Sequence, residues 1–312
     1  MSAPSGTPNL WQRLRLDFKQ WRNQRRLARR DAEFVARAVV FEQLLATLPI
    51  GPSAVTDRPL MFSHAGNAGD VIFALPALRA ISGDRPAGLR LAIDRPAFYA
   101  EGAHPLGNVR LNAATVRMLQ PLLEAQSYID SCRIDDGSAV IDVELDRFRE
   151  APIPGDKGYL ARWPFYVTGV TWDLARPWLE VPPLAGLEDW LLIARSQRYR
   201  NPHLDYRFLA RYPRLAFVGV DVEFDEMRRQ LPTIERIDVA DFLQMASAIR
   251  GSGVFIGNQS LPYSIAEALK VRRVLEACHR APTNVPHGLC AHDVYFQRVF
   301  ESVVERLYEG RE

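Results

Sequence analysis

Residues 60–81 read LMFSHAGNAGDVIFALPALRAI, a short apolar run, a polar loop with two glycines, and then an amphipathic helical pattern. Leu60 to Phe62 suit a strand, whereas Val71, Leu75, Leu78 and Ile81 recur at helical spacing and predict a helix over 71–81. A strand that passes through such a loop directly into a helix opens a βα unit. Its loop lies at the carboxyl end of the strand, where α/β folds bind their ligands.

The alternation continues outward from this stretch. Residues 89–93, 129–134 and 139–143 read as strands and 113–125 as a helix. Residues 152–183 hold six prolines and three tryptophans and follow neither period, which suits a linker packed between lobes. A second alternation then begins, with strands near 190–194, 215–220, 236–239, 254–256 and 273–275. Helices are expected near 206–210, 224–229, 239–249 and 264–269, and a closing helix near 294–308. The fold class expected is α/β, two doubly wound Rossmann-type lobes with an added N-terminal helical arm. The expected division is residues 1–57 for the arm, 58–185 for the first lobe with its linker, and 186–312 for the second lobe with its closing helix.

The 312 residues are 47% apolar and 24% charged, which excludes disorder and collagen-like repeats and provides for a sizeable core. No apolar run reaches the roughly 18 residues of a membrane span, and no signal-peptide core precedes the first lobe, so a cytoplasmic protein is expected. Cys132, Cys278 and Cys290 form no CxxC pair and suit reduced thiols.

The net charge of +2 conceals an asymmetry, because residues 11–30 alone carry +7 and the remainder therefore −5. A nucleic-acid partner is not expected of a body that is acidic. Trp11, Leu14, Phe18 and Trp21 recur at helical spacing among the arginines. This suits a basic amphipathic helix, either on an anionic membrane surface, with the protein peripheral at the inner face, or packed on its own body. A second helical stretch is expected over 32–48, and residues 1–9 are expected to be mobile.

Three loops could carry chemistry. In the first, Gly66, Asn67 and Gly69 allow close approach to a ligand, and Asp70 stands at the helix start as either a general base or a helix cap. Its GxxG spacing is not the GxGxxG of dinucleotide-binding proteins. In the second, Gly257, Asn258, Gln259 and Ser260 precede a helix whose amides could hold a diphosphate without a metal, although Ser260 could equally serve as a cap. The third is Arg195-Ser196-Gln197-Arg198-Tyr199-Arg200. If extended, it would present Arg195, Arg198 and Arg200 to phosphate, with Ser196 beside them. Glu267 is a further candidate, as an acceptor from ribose hydroxyls. Cys278, His279, His287, Cys290 and His292 have no standard zinc spacing and suit a surface loop, so no metal or cofactor is called for.

Two segments resemble a known family. Gly69-Asp70 through Pro76-Ala77-Leu78-Arg79-Ala80 resembles the GD(x)5PALRA segment of the heptosyltransferase-like family 9 glycosyltransferases, which have the GT-B fold. Residues 255–266 resemble that family's (F/V)(I/V)GxDSGPxHxA donor loop, with Asn258-Gln259-Ser260 at DSG and Ser264 after Tyr263 at the usual His. The resemblance covers about residues 59–80 and 214–276. It implies a metal-independent, inverting transfer from a nucleotide-diphosphate sugar to a glycan or lipid-linked acceptor, with Asp70 deprotonating the acceptor hydroxyl. The alternative, suggested by Asn258 and Tyr263, is a non-catalytic nucleotide-sugar or glycan-binding relative that retains the two lobes.

Overall fold

The computed structural model describes residues 10–46, 58–97, 107–153 and 157–310. The expectation for residues 1–9 and the Pro49, Gly51 and Pro52 breakers lie outside the described residues. Helix α1 spans Leu10–Leu45 as one element of 36 residues, where the sequence suggests two successive stretches. No glycine or proline interrupts it, so nothing in its backbone favours a break. None of its residues is buried. Phe18 stacks on Trp21, and Arg25 lies 4.6 Å over the Trp21 ring. Helix α1 and residues 150–153 form one compact unit, and the rest of the described chain forms another.

The second unit contains two parallel sheets. The first comprises β1 (Leu60–His64), β2 (Ala87–Leu91), β3 (Ile129–Ile134) and β4 (Val143–Glu144) in the order β3-β2-β1-β4. Helices α2 (Ala68–Ser82) and α3 (Ala113–Glu124) cross between its strands. Most of the strand expected over 139–143 is absent. The Asp142 carboxylate takes the Met61 amide at 2.8 Å and the Arg58 guanidinium, beside a backbone bond from the Asp142 amide to the Met61 carbonyl at 2.8 Å.

The linker is partly ordered into a 3-10 turn (Leu160–Arg162) and a short helix, α4 (Trp163–Thr168), whose start is favoured by Pro164. Trp178 is fully buried; its indole donates to the Ile72 carbonyl at 3.0 Å and its amide to the Ala268 carbonyl at 3.0 Å.

The second sheet comprises β5 (Leu191–Ala194), β6 (Leu215–Phe217), β7 (Glu235–Arg236), β8 (Val254–Asn258), β9 (Arg273–Glu276) and β10 (Ala291–Val294). Its order is β10-β9-β8-β5-β6-β7. Its helices are α5 (Asp221–Gln230), α6 (Phe242–Gly251), α7 (Leu261–Leu269) and α8 (Gln297–Tyr308). The helix expected over 206–210 is a 3-10 turn at Arg207–Arg211. Strand β10 is a correction to the surface loop expected through His292; its residues AHDV are half-exposed at an edge and carry no apolar run. Cys278, placed in the same loop by the sequence, is buried.

Helix α2 packs on α7 and α3 on α6, so one apolar cluster runs from Phe62 and Leu75 through Trp178 to Ile265 and Leu269. A second cluster, with Phe217, Val274 and Phe300, fills the other face of the second sheet. In each sheet the strand order reverses once, between β1 and β4 and between β5 and β8. In α/β sheets such reversal points, at the carboxyl ends of the strands, are where ligands bind.

Candidate functional site

At the first reversal the loop after β1 meets the segment after β4. Asn67, not Asp70, is the N-cap of α2, and Asp70 is the third residue of its first turn. The Asp70 Oδ2 atom accepts from the Asn67 amide at 3.0 Å, from the Asn67 side chain at 3.5 Å and from Arg149 Nη2 at 2.5 Å. Among the described residues Oδ1 has no partner, so one carboxylate oxygen anchors the group and the other remains available. Its side chain is 15% exposed. Burial pushes the Asp70 pKa up, but the Arg149 charge and the Asn67 amide outweigh burial and hold it below the ordinary value.

Around this carboxylate the packing is close. Asp146 accepts the Ala65 amide at 3.1 Å and lies 3.4 Å from Arg149 Nε. His64 is buried; its Nδ1 accepts the Gly66 amide at 2.9 Å, and its Nε2 has no partner among the described residues. Desolvation keeps the imidazole pKa low, and the accepting Nδ1 fixes the neutral tautomer with hydrogen on Nε2. A Cβ on Gly66 would lie 2.5 Å from His64 Cε1 and 2.9 Å from Asp70 Oδ2, besides striking Arg149. Only glycine fits that cradle.

At the second reversal, the loops after β5 and β8 are bonded to each other. Asn258 is fully buried, and its side chain accepts the Ser196 amide at 2.8 Å and donates to the Ser196 and Arg198 carbonyls at 2.9 and 2.6 Å. Gln259 donates to the Ala281 carbonyl and Thr283 hydroxyl and accepts the Cys278 amide. Ser260 is the N-cap residue of α7, yet its hydroxyl donates to the Asn258 carbonyl at 3.0 Å, and no side chain caps the helix. Pro262 has no N–H, so of the first turn of α7 the Leu261 and Tyr263 amides are left without a side-chain cap. Gly257 lies within β8, where an added Cβ would meet the Ala194 carbonyl at 2.9 Å.

The arginine segment is not extended. Tyr199 has φ of +54°, which turns the chain away from the extended course. Arg195 is buried in a two-bond pair with Glu276 at 2.6 and 2.9 Å, beneath the Tyr206 ring. Arg200 turns back to the Ser196 carbonyl and to Glu226. Ser196 donates its hydroxyl to the Arg198 carbonyl, and Arg198 lies over the Tyr199 ring. Glu267 is also a correction as a ribose acceptor. It is fully buried and takes Lys270 Nζ, Arg273 Nε and the His287 amide at 2.5, 2.6 and 3.0 Å. Among the described residues no group of three or more His, Cys, Asp or Glu is placed to hold a metal ion.

The two reversals are joined through Gly69. A Cβ there would lie 2.8 Å from the Ser264 hydroxyl and 3.6 Å from Leu261 Cα, so the first turn of α2 rests directly on the first turn of α7. Gly69, next to Asp70, thus adjoins the uncapped end of α7, Gly66 and Asn67 pack around Asp70, and Arg195, Glu267 and the side chains of Asn258 and Gln259 are spent on internal bonds. Arg149, Asp146 and His64 complete the surroundings of Asp70. Arg149 reaches Asp70 from the far side of the sheet reversal and Asp146 holds Arg149 and the Ala65 amide, and no local pattern in DRFRE (146–150) announces them.

No family model and no curated protein matches the chain. Among solved structures, a family 9 glycosyl transferase from Veillonella parvula is similar, at 16% identity and a TM-score of 0.51, covering 83% of this chain and 94% of that one. The ADP-heptose LPS heptosyltransferase II of E. coli is similar at 13% identity and a TM-score of 0.50, covering 82% and 100%. With its two parallel sheets, each reversing once in strand order, the chain has the mixed α/β GT-B fold of these structural neighbours.

Proposed function

We propose that the protein is a glycosyltransferase that moves a sugar from a nucleotide-diphosphate donor to an acceptor hydroxyl. The observation that carries this reading is the contact of Gly69 with Leu261 and Ser264, which sets a carboxylate beside an uncapped helix N-terminus. Asp70 Oδ1 accepts the acceptor proton as the hydroxyl attacks the anomeric carbon from the face opposite the leaving group, so the transfer inverts. The diphosphate departs toward the α7 amides, whose partial positive charge stabilises it, with Arg198 and Ser196 alongside. Nothing in this scheme calls for a metal. The first lobe, residues 58–185, holds the acceptor, a glycan or lipid-linked molecule, and the second, 186–312, holds the donor.

Helix α1 completes the reading. Arg15, Lys19, Arg22, Arg26, Arg29 and Arg30 share one side of the helix and Leu10, Leu14, Phe18 and Trp21 the adjoining side, which suits an anionic membrane surface. No described helix is long and apolar enough to cross a membrane.

The test is release of nucleoside diphosphate from a panel of nucleotide sugars with glycan and lipid-linked acceptors, in wild type and Asp70→Asn. Turnover abolished by the substitution with donor affinity unchanged supports the scheme. The other reading, a binding module without turnover, is favoured by the Arg149 bond to Asp70, which lowers the basicity of the carboxylate. Tight donor binding with no turnover on any acceptor would establish it in place of the enzyme.

A further inference from the structure

A cavity of about 460 Å³ opens in the first lobe, beside β2 and β3. It is lined by Arg90 on β2, Arg133 on β3, Arg117 and Gln120 on α3, and Asp136 and Ser138 in the loop that follows β3. The register aligns Ser63, Arg90 and Arg133 across three adjacent strands at the carboxyl end of the sheet. The cavity therefore lies one to two strand spacings, roughly 5 to 10 Å, from the origin of the Asp70 loop.

Its charges are unequally committed. Arg133 donates to Glu124 and to the Cys132 carbonyl. The Asp136 carboxylate accepts the Ser138 amide at 3.0 Å and hydroxyl at 2.6 Å, and these bonds, more than the charge of Arg90, hold its pKa down. Arg90 Nη1 is inaccessible to solvent and without a hydrogen-bond partner, and Arg117 is exposed and makes no hydrogen bond among the described residues. The unpartnered nitrogen shows that the protein does not satisfy the Arg90 guanidinium internally; the side chain as a whole is only half-buried, and an oxyanion in the cavity is the group that its accessible part and that of Arg117 would take with charge-assisted hydrogen bonds.

We infer that this cavity is a binding site for an organic oxyanion, a phosphate or carboxylate carried on a body of about monosaccharide size. Arg90 and Arg117 grip the anion, Arg133 adds to the positive field, and Gln120 and Ser138 supply neutral hydrogen bonds to the body. The volume exceeds what a bare phosphate fills and falls within the range of small-molecule sites. The inference does not depend on sugar transfer, since it concerns binding alone.

The test follows the Arg side-chain Nε–H resonances of the full chain by NMR during titration with glucose 6-phosphate, inorganic phosphate and glucose. Sodium chloride at matched ionic strength serves as the control, and Arg→Lys variants assign the signals. Glucose 6-phosphate should shift Arg90 and Arg117 saturably and bind more tightly than inorganic phosphate, while glucose and chloride leave them unmoved. Arg117→Gln, at an exposed position, should weaken binding about tenfold, and Arg90→Gln should do so at least as strongly. Absence of a saturable shift, a shift reproduced by chloride, or an affinity unchanged in Arg117→Gln would overturn the assignment. An unfolding midpoint unchanged in Arg117→Gln shows that the fold is intact.

Discussion

The loops after β1 and after β8 have the same local grammar: a strand end, a polar glycine-bearing turn and an apolar helix. They use it in opposite ways. After β1 the side chains face inward around one carboxylate, and the Asp70 Oδ1 atom remains available. After β8 the side chains of Asn258, Gln259 and Ser260 bond to neighbouring backbone and side chains, and what remains toward a ligand is main chain. A polar run at a strand end can therefore present chemistry or serve as internal fastening. Burial and partners decide which.

The largest expected effect breaks the first half of this contrast. Asp70→Asn should lower turnover by about 10²- to 10⁴-fold, the usual range for loss of a general base, with donor affinity preserved in the same titration. Unchanged turnover would remove Asp70 from the chemistry.

The next effect is on stability. Glu276 is fully buried and accepts from Arg195, the Asn201 amide and the Tyr206 hydroxyl. Glu276→Gln should leave Arg195 uncompensated and cost about 3–5 kcal/mol in denaturant unfolding. A loss under 1 kcal/mol would show that this fastening is not structural.

The contact between the two loops comes third. Gly69→Ala should cost about 1–3 kcal/mol by wedging α2 from α7. Ser264→Ala in the same chain should recover part of it, because the Ser264 hydroxyl is the nearest atom to the new methyl. Additive losses in the double variant would place the strain elsewhere.

The smallest effect is in the pH profile. With its pKa held below the ordinary value, chiefly by the Arg149 charge working against burial, Asp70 should keep its charge to lower pH than a free carboxylate, so the acidic limb of the wild-type rate should lie below that of an unperturbed aspartate. Its contribution to stability is likewise present above the unfolded-state value and lost as pH falls through the folded-state one. Arg149→Met leaves burial opposed by weaker forces. The acidic limb should then move toward neutral pH, and a profile that does not move would show that Arg149 does not set this carboxylate.

How much of this was legible follows from how local each signal is. Strands β1, β3, β5, β8 and β9 and helices α2 and α3 announce themselves because each is one apolar period bounded by turn residues. Strand β10 does not, since an exposed edge strand such as AHDV needs no apolar run. Asp70 stood out by its place after a strand and a glycine loop. Arg149 could not, because it reaches Asp70 from 79 residues away through the sheet reversal. The arginines at 195–200 were legible as charges but not as ligands. Their direction depends on the turn at Tyr199 and on Glu226 and Glu276, which are remote in sequence.

Helix α7 begins without a side-chain cap. A receptor made of peptide dipoles is indifferent to residue identity, provided that the chain keeps its path and only small groups approach it. Such a cradle can survive extensive divergence while its letters are rewritten, and it is better sought in the direction of N–H vectors than in a consensus string.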